Sequence, residues 1–69
     1  MNTIDLHGVR YKDVYSLLQS SCEGDVPFVV ITGHSNSMKK IVTEIVATFG
    51  LYVYENPTNI GRLVICECR

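Results

Sequence analysis

No stretch of the 69-residue sequence approaches the roughly 18 apolar residues that span a bilayer. The opening Met1-Asn2-Thr3-Ile4-Asp5 has neither the basic start nor the apolar segment of a secretory signal. No membrane partner is therefore expected, and the location expected is cytoplasmic. Cysteine is scarce and odd in number: Cys22, Cys66 and Cys68 fit a reducing compartment better than a disulfide scaffold. Cys66 and Cys68 share one side of a strand-like run, but no further ligand pair at finger-like spacing accompanies them. They read as small buried hydrophobes rather than metal or redox groups. A surplus of one charge is also missing. Six Lys and Arg against seven Asp and Glu leave a formal net charge of −1, without the basic excess common in nucleic-acid binders. There is no internal repeat, low-complexity tract or linker.

What is present is apolar content, 46% of the residues, enough to offset chain entropy and exclude disorder. The length allows one domain, residues 1–69, near the lower limit for folding without staples. Ile4 to Leu6 reads as a short first strand. Tyr11, Val14, Tyr15, Leu17 and Leu18 recur at three- and four-residue steps and predict an amphipathic helix over 11–22. Phe28-Val29-Val30-Ile31-Thr32 is short, β-branched and continuous, the mark of a strand covered on both sides. Met38, Ile41, Val42, Ile45, Val46 and Phe49 form a second helical stripe, with Asn36 as its expected N-cap and Gly50 as its stop. Residues 51–55 alternate, Leu51 and Val53 against Tyr52 and Tyr54. Asn56-Pro57-Thr58-Asn59 is turn chemistry, and Leu63 to Cys68 reads as a strand that is apolar but for Glu67. The order β-α-β-α-β-β predicts an α+β (or α/β) two-layer sandwich with both helices on one face. The two apolar runs want central places, and the fourth strand must pair back on the third. The expected sheet is therefore mixed, of order 1-2-4-3 with strand four antiparallel. Its other face is left bare and apolar. Such a face makes a homodimer or packs on a partner, unless the tyrosines and termini cover it.

Two segments can carry chemistry. In Asp5-Leu6-His7-Gly8, strand geometry puts Asp5 and His7 on one face and Leu6 in the core. They stand at the carboxyl end of a parallel strand, where open α/β sheets hold ligands. A histidine shuttles protons near neutral pH, a carboxylate orients it, and Gly8 permits a sharp turn or close phosphate approach. By spacing alone, a plain strand end in which Asp5 caps the turn and His7 is merely exposed is the better description. In Thr32-Gly33-His34-Ser35-Asn36-Ser37, small polar residues lead into a helix whose free amides and partial positive charge suit a phosphate. An ordinary capping loop fits that segment as well. Arg10 and Lys12 follow the first segment, Lys39 and Lys40 follow the second, and Arg62 and Arg69 bracket the last strand. Clustering of these side chains would make a local positive patch on a near-neutral protein. Strands one and two are expected neighbours, which brings His7 and His34 to one end of the sheet. Asn59-Ile60-Gly61-Arg62 reads as a structural turn.

Over nearly its whole length the chain resembles the Smr (small MutS-related) family. That family opens on Leu-Asp-Leu-His-Gly, matched by Ile4-Asp5-Leu6-His7-Gly8. It continues with a helix, an apolar strand and a loop of the form His/Thr-Gly-Lys/Arg-Gly, and closes on an apolar strand preceded by glycine, matched by Gly61 and Leu63 to Cys68. The resemblance implies a βαβαββ sandwich similar to the C-terminal domain of translation initiation factor three. It also implies nucleic-acid cleavage, on DNA or on RNA at ribosomes, with Asp5 and His7 catalytic. It implies binding by the glycine loop, here Thr32, Gly33, His34 and Ser35; the residues themselves add Gly8, Arg10, Asn36, Lys39 and Lys40 as phosphate-binding candidates. The loop departs from the family pattern, since His34 stands where lysine or arginine is usual and Ser35 replaces the second glycine. The expectation is an endonuclease acting on RNA more than DNA through His/Asp acid–base chemistry, with no cofactor and with divalent-metal dependence left open. The alternatives are a nucleic-acid- or ribosome-binding module without turnover, and a small adaptor acting through the bare face. A His₂-carboxylate metal site from Asp5, His7 and His34 is the least favoured, because the spacing is not diagnostic.

Overall fold

A computed structural model of the chain describes residues 2–67. The elements run β1 (Asn2–Asp5), α1 (Tyr11–Gly24), β2 (Phe28–Ile31), α2 (Asn36–Thr48), β3 (Tyr52–Glu55) and β4 (Arg62–Cys66). The four strands form one mixed sheet of order β1-β2-β4-β3, as expected. β1 and β2 are parallel, while β4 is antiparallel to both β2 and β3. Register follows the apolar pattern: Phe28 lies opposite Ile65 and Val30 opposite Leu63. These four side chains share one face and are almost fully buried. Each such burial stabilises the fold by about 1.5–3 kcal/mol over an exposed position.

Both helices lie on that face. α1 contributes Val14 and Leu18 to the core, and α2 contributes Met38, Val42 and Val46, all at helical spacing. Leu6 completes the core from the strand side at 1% exposure. Gly50 ends α2 as expected. Its amide reaches Ala47 O, and the Leu51 amide reaches Val46 O, both at 3.0 Å, so paired backbone bonds close the last turn.

The boundaries differ from the periodicity reading for definable reasons. β1 begins at Asn2 because ladder pairing to Phe28 and Val29 needs backbone rather than apolar side chains. α1 continues to Gly24 because the Asp25 amide still bonds back to Ser21 O at 2.9 Å. The N-cap of α2 is Ser35, not Asn36: Ser35 is extended and its Oγ accepts from the Met38 amide at 3.1 Å. A cap of this kind contributes about 1 kcal/mol. In the last apolar run Cys66 ends β4, while Cys68 and Arg69 lie outside the described residues. The free Cys22 is buried in the core, and burial, with Glu23 adding to it, pushes its thiol pKa up.

On the face away from the helices, Val29 is 7% exposed, Ile31, Val64 and Cys66 are half-buried, and Tyr52 and Tyr54 are exposed. A groove of about 630 Å³ runs there along Tyr52, Tyr54, Val64 and Cys66. No helix of the described residues is long and apolar enough to cross a membrane.

Candidate functional site

β1 and β2 run parallel, so the segments that follow them emerge at the same end of the sheet. β3 ends and β4 begins at this end too, because β4 is antiparallel to both neighbours and β3 therefore runs the same way as β2. Three loops meet here: residues 6–10, residues 32–35 and residues 56–61. The ladder continues one step past β1, with the Leu6 amide on Ile31 O at 2.9 Å, and then the chain turns. Asp5 sets that turn. Its Oδ1 accepts from the backbone amide of His7 at 2.8 Å. The carboxylate thus holds the main chain of His7, and no hydrogen bond among the described residues engages the His7 ring. The imidazole is exposed, and its Cδ2 edge lies 3.9 Å from where a Cβ on Gly33 would stand. His7 therefore borders the second segment at its glycine, with room for a first side-chain carbon between them.

The 32–35 loop is anchored from below. Thr32 N and Gly33 N both donate to Gly61 O, at 2.8 and 3.3 Å. The buried Thr32 hydroxyl lies 3.3 Å from the same oxygen and 3.1 Å from Gly33 O. Gly33 has φ +64, whereas Ser35 has φ −77. The positive-φ requirement of this loop thus falls on Gly33, and a serine at 35 costs nothing in backbone strain. Its cap leaves the Ser35 O–H proton available to an incoming acceptor, because a hydroxyl both accepts and donates. The first amides of α2, at Asn36 and Ser37, precede any intrahelical partner and face the loop side. They stand beside exposed His34 and Lys40. Lys39 is placed differently, with its Nζ 2.9 Å from Glu55 Oε2. On the first segment, Gly8 and Arg10 border a hollow of about 540 Å³ with Asp13, Ser16 and Leu17. Arg10 is itself the extended N-cap of α1.

Two residues essential to this geometry are absent from the candidates read in the sequence. Glu55 accepts the Gly61 amide at 3.1 Å on the same Oε2 that meets Lys39. The Lys39 hydrogen bond, then the Gly61 amide, hold the Glu55 carboxyl below its ordinary range, and His34 pulls the same way. Gly61 in turn sits so close to Gly33 that a Cβ on it would lie 2.9 Å from Gly33 O. Parity was the available signal for Glu55. It shares the inward side of β3 with Val53, and a carboxylate on an inward register demands a partner. Among the described residues no three His, Cys, Asp or Glu side chains converge as a metal site.

The arrangement offers an exposed imidazole, a second histidine, unsatisfied helix amides and a rigid glycine junction around one end of the sheet. Comparison with protein-family models, curated proteins and solved structures finds no match to this chain.

Proposed function

We propose that the chain binds nucleic-acid phosphate where β1 and β2 end and cleaves the phosphodiester there, on RNA in preference to DNA. The observation that carries this reading is the exposed His7 ring set against Gly33, on the loop that opens into the free amides of α2. An imidazole beside a phosphate cradle is suited to in-line transfer on RNA. His7 takes the proton of a ribose 2′-hydroxyl, whose oxygen attacks the adjacent phosphorus. The bond to the 5′ oxygen breaks, and protonated His34 delivers a proton to that leaving group. The products are a 2′,3′-cyclic phosphate and a 5′-hydroxyl, with no water consumed. The amides of Asn36 and Ser37 stabilise the charge that builds on the non-bridging oxygens. Asp5 acts through the main chain, holding the turn that presents His7.

The test is incubation of structured RNA and supercoiled DNA with the protein and its His7→Ala variant, with and without a chelator. Cyclic-phosphate ends made by the wild type and lost in His7→Ala, with RNA binding retained, are expected. Cleavage at the wild-type rate by His7→Ala removes His7 from the mechanism.

Two observations favour a second reading, a binding module without turnover associated with RNA or the ribosome. The Asp5 carboxylate engages the His7 amide rather than its ring, and Lys39 is already paired. Salt-dependent RNA binding with no cleavage under any metal condition identifies that module.

A further inference from the structure

We propose that Glu55 is a positioning residue that sets the Thr32–Gly33 loop through Gly61. A single oxygen, Glu55 Oε2, receives the Gly61 amide at 3.1 Å and Lys39 Nζ at 2.9 Å. It thereby ties the loop before β4 to the first turn of α2. Gly61 O then receives Thr32 N and Gly33 N. The peptide units on either side of Gly61 thus link the carboxylate to the 32–35 loop, one by its N–H and the other by its carbonyl. The contact has no slack, since Gly61 approaches Gly33 closely enough to exclude a Cβ. Gly33 is also the residue against which the His7 ring lies. A shift of the 56–61 loop is therefore carried by backbone contacts as far as Gly33, which the His7 ring borders.

Charge strengthens this clamp. The acceptor is an ionised carboxylate, and hydrogen bonds to ionised acceptors are shorter and roughly twice as strong as neutral ones. Lys39 and His34 are the cationic side chains whose charges act on Glu55, and both favour its ionised form. Lys39 consequently reads as part of the clamp rather than as a phosphate ligand. The clamp itself stands on geometry alone; its importance for turnover rests on the cleavage proposed above.

Amide hydrogen exchange, read residue by residue by NMR, tests the clamp without reference to activity. Thr32 and Gly33 report the junction, and Val30 and Ile65 report the global fold. Glu55→Ala is expected to speed exchange at Thr32 and Gly33 by about tenfold or more beyond any change at Val30 and Ile65. Glu55→Gln keeps an oxygen for Gly61 and should hold those two amides within about threefold of the wild type. The His7 ring resonances should move in the alanine variant only. Unchanged exchange at Thr32 and Gly33, or a rise matched at Val30 and Ile65, overturns the proposal. Should Glu55→Ala not fold, the wild type decides. On acidification, the Thr32 and Gly33 amide resonances must follow the midpoint of the Glu55 carboxyl carbon, and an independent midpoint overturns the proposal. RNA incubation then separates the two claims: a wild type that never cleaves, yet shows the exchange pattern, keeps the clamp and loses the nuclease.

Discussion

Replacing Gly61 with alanine tests the junction beneath the candidate site most severely. Two costs add. The first is backbone: Gly61 has φ +97, a region that side-chain-bearing residues occupy at about 1–3 kcal/mol. The second is contact: the new Cβ would lie 2.9 Å from Gly33 O, 3.1 Å from its carbonyl carbon and 3.2 Å from its Cα. All three atoms are backbone, so relief requires displacing the 32–35 loop, at an overpacking cost of about 1–3 kcal/mol. The sum, about 2–6 kcal/mol, is a large share of the whole stability of a domain this size. At about 4–8 °C per kcal/mol it predicts a fall in melting temperature of roughly 10 °C or more. Two other glycines separate the terms. Gly8 has φ +79 but nothing within 4 Å of its would-be Cβ, and Gly24 at the end of α1 has neither constraint. Gly8→Ala should therefore cost about 1–3 kcal/mol, while Gly24→Ala should be neutral or stabilising by up to about 1 kcal/mol. Circular-dichroism melts of the three variants should rank Gly24→Ala highest and Gly61→Ala lowest. A Gly61→Ala protein that melts with Gly8→Ala refutes the close approach as a constraint.

Asp5→Asn retains an oxygen for the His7 amide and should keep cleavage within about threefold, whereas Asp5→Ala should lose at least about tenfold through a loosened turn; if asparagine falls as far as alanine in the RNA assay, the carboxylate charge acts on the ring after all. Glu55 has its pKa lowered by folding, so its contribution to stability is present above its ordinary value of 4.5 and is lost as pH falls through the lower folded value. Urea midpoints measured between about pH 6 and about pH 3 should fall more for the wild type than for Glu55→Gln, and parallel curves refute the linkage. Lys40 is exposed and Lys39 is paired, so Lys40→Ala should reduce the salt slope of single-stranded RNA binding by about 0.7 and Lys39→Ala by less. Equal reductions for the two lysines place Lys39 on the phosphate.

The strand order was legible because two constraints sufficed. Phe28 to Ile31 and Leu63 to Cys66 are apolar on both sides, which sends them to the centre, and the short 56–61 turn obliges β4 to pair beside β3. What periodicity misses is everything the backbone does without apolar side chains. Asn2 and Thr3 extend β1 by ladder bonds alone. Ser35 outcompetes Asn36 as cap because the chain is still extended at 35 and already helical at 36, a difference in φ and ψ that composition does not carry.

The candidate site was legible in its location and illegible in its wiring, for one reason in each segment. Period-two logic puts Asp5 and His7 on one face, yet the regular strand ends at Asp5. Beyond that residue the turn, not the pleat, aims the imidazole, and the nearest donor to the carboxylate is the amide two residues on. In the second segment the supports are distant in sequence: Thr32 is held by Gly61, and Lys39 by Glu55. Pairing does not alter the near-zero net charge, since an ion pair removes one charge of each sign, but it does decide which side chains remain outside a pair. Among the described residues Glu55 is the acid in an ion pair, and it is spent on the clamp together with Lys39. Arg10, Lys12, Lys40 and Arg62 are all exposed and outside that pair. Arg10 and Lys40 belong to the two site segments and the helix that follows, and Asp5 and Asp13 stand at the first of them, so the potential that a phosphate would meet there is set by the local balance of these side chains and the α2 amides, not by the sum over the chain.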